Sequence, residues 1–189
     1  LNNIQPAFKN KIIGGIKEFI TNYGFFTEQE IDLLNTQRSP ADILINFFPS
    51  LLLRGFKGKI YILIDEYDHF TNELFAFNPD HFQEVVSRNG WVRKFYEVIK
   101  QFTGSGLIDR FFATGVTPVT LDSMTSGFNI GFNITLESKF QNLAGFTETE
   151  LKNLILGTIF EEGKFDIDKL LTDMRAWFNG SRFSRDGGD

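Results

Sequence analysis

Three acids, Asp65, Glu66 and Asp68, follow directly on five apolar residues, Ile60 to Ile64. An apolar run without alternation, rich in β-branched residues, predicts a strand covered on both faces, as in the centre of a parallel sheet. Acids at its carboxyl end stand where open α/β sheets bind ligands. One carboxylate there can hold Mg²⁺, and its neighbour can take the proton of an attacking water. The competing reading is structural, because a carboxylate at a helix start satisfies orphan N–H groups and suits the helix dipole. Asp68 fits that helix-start role better than the role of a ligand.

The elements that must position these acids follow from the apolar pattern. Leu107 to Ala113 predicts a second strand with Phe111, Phe112 and Ala113 as its apolar core, ending in Thr114-Gly115-Val116-Thr117-Pro118. Between the strands, Tyr67 to Phe77, His81 to Arg88 and Trp91 to Phe102 read as helices, separated by Asn78-Pro79 and Asn89-Gly90. Strand, helices, strand is a βαβ unit, so the two strands should be parallel with a right-handed crossover. Thr114 is then expected beside Asp65 and Glu66.

Upstream, Ile4, Phe8, Ile12, Ile16, Phe19 and Ile20 recur at helical steps, and Gly24 should end that helix. Thr27 with Glu30 forms a capping box for a short helix. Ser39-Pro40 opens a third helix through Leu51, with a kink or break expected at Pro49. Downstream, Ile134 to Leu136 has strand character, and Thr147 with Glu150 opens a helix through Ile159. Asp166 to Phe178 reads as a further helix with Leu170, Leu171, Met174 and Trp177 inward, stopped by Asn179-Gly180. The expected organisation is a helical segment 1–54 packing on the sheet, an α/β core 55–145, a lid-like helical segment 146–184 and a frayed tail 185–189.

A chain of 189 residues can hold one domain, or one with a small appendage. The formal charge of -5 argues against a broad phosphate-binding surface and leaves room for a local basic patch; nucleic acid is expected to be engaged only indirectly. The absence of cysteine excludes disulfides, thiolate catalysis and Cys-based zinc sites. His69 and His81 have no partner at a metal-ligand spacing and read as structural or exposed. With no signal peptide and no membrane-length apolar run, the expectation is a soluble, cytoplasmic protein without a membrane partner. The 23 Phe are expected to fill core volume.

In order along the chain, IDEYDHF, RNGWVRKFYEVIK, RFFATGVTPVTLDSMTSGFNIG, GFTETEL and WFNGSRFS span Gly55 to Ser184. The series resembles the bacterial AAA-ATPase-like proteins, P-loop NTPases often joined to a restriction-endonuclease-like nuclease domain. The resemblance implies an α/β fold: a partial P-loop NTPase sheet of the ASCE type flanked by helices and followed by a helical segment. It implies ATP and Mg²⁺ as cofactors. In that family the first strand and the phosphate loop lie upstream of these motifs. This chain contains no GxxxxGK[ST], so the Lys and amides that would cradle phosphates are not in it.

Carried onto this sequence, the resemblance makes Asp65 the Mg²⁺-side, cofactor-binding carboxylate and Glu66 the water-activating base. Thr114 would be the polar sensor of the γ-phosphate or its water, against the alternative of a hydroxyl capping its own turn. Arg182 would reach nucleotide or a neighbouring subunit, against the alternative of a surface ion pair. Arg88 and Arg93 would be arginine-finger candidates in a homo-oligomer, although a basic helix face is usually just solvated.

The function expected is an ATP-binding, ATP-hydrolysing module that gates or powers an attached nuclease domain or a partner protein, catalytically incomplete in this chain. A degenerate NTPase domain serving as an interaction scaffold is the alternative. Presence of both Asp65 and Glu66 argues against it, since a scaffold has no need of the base. A two-metal nuclease built on Asp65, Glu66 and Asp68 would need a Lys or a further acid on the adjacent strand, where Thr114 stands.

Overall fold

The computed structural model describes residues 4–87, 89–116, 128–143, 145–158 and 166–178. Residues 1–131 and 132–189 form two separate compact units.

In the first unit, helices α1 (Ile4–Tyr23), α2 (Glu28–Asn35) and α3 (Pro40–Leu53) precede the first strand. Their ends follow local chemistry. Gly24 takes a left-handed φ of 68° and donates its N–H to the Ile20 carbonyl, the C-terminal closure that a residue without Cβ adopts most readily. The Glu30 carboxylate accepts the Thr27 N–H at 2.9 Å at the start of α2. At α3, Ser39 Oγ accepts the Asp42 N–H while the Asp42 carboxylate accepts the Ser39 N–H, a reciprocal box with Pro40 in the first turn. Of the kink or break expected at Pro49, the break does not occur: α3 runs as one helix from Pro40 to Leu53. Phe47, Phe48 and Leu51 are all buried on that helix, and their burial outweighs the one hydrogen bond a proline removes.

Strand β1 (Ile60–Ile64) pairs in parallel with β2 (Ile108–Ala113) across α4 (His69–Phe77), α5 (Pro79–Val86) and α6 (Trp91–Gly104). A bulge shifts the register by one: Ile60 faces Ile108, whereas Tyr61 faces Arg110. Because side chains alternate with a period of two, the extra residue turns both Asp109 and Arg110 outward. It leaves Ile62 with Phe111 and Ile64 with Ala113 on the inner face.

The inner face joins a core in which α3 packs against α6, through Phe48, Leu51, Val92, Tyr96 and Ile99. Phenylalanine fills much of it, as in the 4.7 Å Phe48–Phe102 contact and the edge-on Phe8–Phe95 pair at 5.1 Å.

The outer face corrects the expectation of a strand covered on both sides. Tyr61 is 64% exposed, Leu63 75% and Phe112 41%. The three stand on the side opposite Ile62, Ile64 and Phe111. A continuous apolar run shows that a strand is able to be buried twice. It does not by itself supply the second layer.

In the second unit, a 3₁₀ turn (Ser138–Phe140) leads to α7 (Glu148–Thr158) and α8 (Ile167–Phe178). The two helices are tied by Lys152 Nζ to Asp168 Oδ1 at 3.0 Å and by an Arg175–Glu148 ion pair. Thr147 donates its N–H and its hydroxyl to Glu150, which holds that carboxyl below its ordinary range. Ile134 to Leu136 forms no strand; Thr135 and Leu136 lie in a turn. On α8, Leu171 is buried as expected, but Trp177 is 84% exposed rather than inward. Asn179-Gly180 and Arg88 lie outside the described residues. Among the described residues, no helix is long and apolar enough to cross a membrane.

Candidate functional site

The ends of β1 and β2 are sewn together by the backbone. Thr114 donates its N–H to the Ile64 carbonyl at 2.9 Å, and Tyr67 donates to the Thr114 carbonyl at 2.8 Å. The parallel register carries straight on into the loops that follow, which brings Thr114 to Asp65 and Glu66.

There the Thr114 hydroxyl donates to Asp65 Oδ1 and accepts the Glu66 N–H at 3.1 Å. It therefore bridges the two loops instead of capping its own turn. Asp65 and Glu66 are exposed at this edge. Glu66 takes a left-handed φ of 50°, the only non-glycine residue described to do so. His69 Nδ1 stands 3.8 Å from Glu66 Oε2.

Asp68 behaves differently from its neighbours. It is fully buried at 0% exposure, and although it occupies the N-terminal cap position of α4, its side chain makes no capping bond to that helix. Its carboxylate oxygens accept the Val116 N–H at 3.2 and 3.0 Å, across 48 residues, and Oδ2 also accepts Asn72 Nδ2 at 2.9 Å. Asp68 thus stands at the helix start as expected, but its carboxylate links the two loops instead of capping the helix. Sequence reasoning missed this link. The available signal was the glycine between Thr114 and Val116: a Cβ on Gly115 would lie 2.4 Å from Tyr67 Cε1 and 2.7 Å from Asp68 Oδ1.

Tyr96 is fully buried, and among the described residues its hydroxyl has no hydrogen-bond partner. Burial, and after it the neighbouring Tyr67 and Asp68, push its phenol upward.

Of the arginines, Arg93 is ion-paired to Glu97 at 2.9 Å along α6. Arg182 lies outside the described residues.

Among the described residues, no group of three or more His, Asp or Glu is placed to hold a metal by itself. What the edge offers is an exposed Asp65 carboxylate with one oxygen engaged by Thr114 and an acceptor-only partner in Glu66. That donor set fits Mg²⁺, which takes one or two protein carboxylates and completes its shell with water and phosphate oxygens. It does not include a cradle for the phosphates themselves.

No solved structure matches the chain. Over 123 residues it is 30% identical to a protein of Azotobacter chroococcum mcd 1 known as an uncharacterized protein in the vnfD 5' region. The match takes in 65% of this chain and 21% of that relative, so the chain spans about a fifth of the relative's length. A family model described as "Predicted AAA-ATPase" matches residues 2–125, an interval that holds both strands and all three residues of the loop junction. By that match, which covers more than half of its length, the chain belongs to the AAA-ATPase-like family.

Proposed function

We propose that this chain supplies the Mg²⁺-side wall of an ATP-binding, ATP-hydrolysing module that gates or powers an attached or partner activity. The observation that carries the reading is the Thr114 hydroxyl joined both to Asp65 and to the backbone of Glu66 at the ends of two parallel strands. Membership of the AAA-ATPase-like family supports it.

In this reading Asp65 holds Mg²⁺ through the carboxylate that Thr114 orients. Glu66, exposed at the edge, accepts the proton of the attacking water. Thr114 registers the γ-phosphate or its water through the hydroxyl that ties the two acids. Bound Mg²⁺ would neutralise charge on the phosphate oxygens. Arg182 would reach nucleotide or a second subunit. The phosphate cradle must come from groups other than those at this edge, and without them Asp65 and Glu66 present negative charge to a polyanion.

A second reading, a degenerate NTPase domain used as an interaction scaffold, is favoured by the apolar outer face of Tyr61, Leu63 and Phe112. Calorimetric titration with Mg-ATP separates the two. The chain alone should bind weakly or not at all, and a chain extended upstream through a phosphate loop should bind and turn over. In the extended chain Glu66→Gln should keep binding and lose turnover, because it preserves shape and removes the base. Unchanged turnover in that variant would remove Glu66 from the chemistry. An extended chain that neither binds nor turns over would favour the scaffold.

A further inference from the structure

We infer that Asp68 is a positioning residue: its buried carboxylate latches the loop after β2 against the loop after β1 and so holds the Thr114 hydroxyl between Asp65 and Glu66. The inference rests on the proposed function only for what the held group is for. The latch itself is geometric.

Four observations converge on it. Asp68 is fully buried while Asp65 and Glu66 are exposed, so three acids within four residues occupy two different environments. A buried carboxylate is retained only where its oxygens are hydrogen-bonded, and here Oδ2 takes both the Val116 N–H and Asn72 Nδ2. Val116 lies two residues beyond Thr114, so fixing its N–H fixes the chain on the far side of the hydroxyl. The near side is fixed by the Thr114 N–H on Ile64. Gly115, between the two anchors, lies so close to Tyr67 and Asp68 that no Cβ fits. Thr114 is therefore clamped at both ends.

The chemistry also explains why an acid serves here. A carboxylate is acceptor-only at both oxygens, and the Val116 N–H points at both. An asparagine can present one oxygen but sets an N–H donor against Val116 with its other atom. It should therefore preserve the latch in part.

The test is amide hydrogen exchange by NMR on the 189-residue chain, comparing wild type with Asp68→Asn and Asp68→Ala. In Asp68→Ala the Val116 and Glu66 amides should exchange at least tenfold faster, and Asp68→Asn should lie between that variant and wild type. Thr71 and Asn72, which donate to the Asp68 carbonyl at the start of α4, should change less than threefold. The reverse pattern, faster exchange at Thr71 and Asn72 with Glu66 unmoved, would reduce Asp68 to a helix-start residue and overturn the inference. If the Asp68 variants do not fold, Gly115→Ala opens the same contact from the other loop. It should speed Val116 and Glu66 together, and an unchanged Glu66 amide would again overturn the latch.

Titration with Mg²⁺ alone, followed at the Asp65 and Thr114 amides, gives the second readout. Asp68→Asn should raise the midpoint at least threefold and Asp65→Asn should abolish the response. A midpoint unmoved by Asp68→Asn, where wild type responds, would count against Asp68 as a positioning residue. A wild type without any response would sink the metal reading of Asp65 and leave the latch to be decided by the exchange rates.

Discussion

The Thr114 hydroxyl donates to Asp65 Oδ1 across 49 residues, and the same oxygen accepts the Glu66 N–H. One small side chain thus ties the ends of both strands, with a carboxylate as acceptor. Such a bond is stronger than a neutral pair, though exposure to water reduces its net worth. Thr114→Val keeps the shape and removes both bonds. It should cost about 1 kcal/mol in urea unfolding followed by Trp91 fluorescence, which reports the first unit. Thr114→Ser should cost less than half of that. A loss in Thr114→Ser greater than that in Thr114→Val would assign the effect to the methyl group's packing.

Glu66 sits at φ 50°, where a side chain is disfavoured by about 1–2 kcal/mol. Glu66→Gly should therefore stabilise the first unit by about 1 kcal/mol. Glu66→Gln, with the same backbone constraint, should leave stability within about 0.5 kcal/mol of wild type. A stabilised glycine variant would show a strained conformation kept at the edge where the acid is proposed to act, the trade commonly found at functional sites. A glycine variant less stable than wild type would mean that the Glu66 side chain contributes contacts exceeding the strain.

Leu63 tests the uncovered outer face of the sheet. At its observed exposure Leu63→Lys should change stability by no more than about 0.5 kcal/mol, whereas a leucine packed in a core would lose several times that. The same substitution should reduce any concentration-dependent self-association seen by analytical ultracentrifugation, because it places a charge within an apolar strip. A loss of about 3 kcal/mol would mean that the face is covered in solution.

The parallel pairing, its helical crossover and the meeting of Thr114 with Asp65 and Glu66 were legible because each rests on a local rule. An apolar run ending in acid marks a strand end, and a βαβ connection fixes the direction of the next strand. The caps at Ser39 and Thr147 were legible for the same reason. What could not be read depends on partners distant in sequence. The residues facing outward on β1 are as apolar as those facing inward, so Leu63 and Ile62 are indistinguishable until the packing is known. Asp68 looked like a cap because its nearest backbone N–H groups are those of α4, while a backbone N–H that its carboxylate accepts, that of Val116, is 48 residues away. Trp177 sat on the apolar stripe of α8 and yet is exposed. The bulge at Ile60 leaves no sequence mark beyond the polar pair Asp109-Arg110.

Tyr96 couples the stability of the core to pH in two ways. Its ring is packed against Phe95, Phe111 and Phe128, while its hydroxyl is buried without a partner among the described residues. Tyr96→Phe keeps the ring and deletes the unsatisfied group, so it should raise stability at neutral pH by about 1 kcal/mol. The second is alkaline. Burial first, and then Tyr67 and Asp68, raise the phenol above its ordinary value of about 10, so the folded state keeps the proton after the unfolded chain has lost it. Stability linked to Tyr96 is therefore complete below about pH 10 and falls as pH rises from there toward the folded value. Urea midpoints compared between wild type and Tyr96→Phe should be parallel up to about pH 9.5 and then diverge, with the wild type declining more steeply. The other tyrosines are common to both proteins and cancel in the difference. A phenylalanine variant that is less stable at neutral pH would show that the hydroxyl has found a donor or acceptor in solution. Parallel alkaline limbs would show that Tyr96 titrates as freely folded as unfolded.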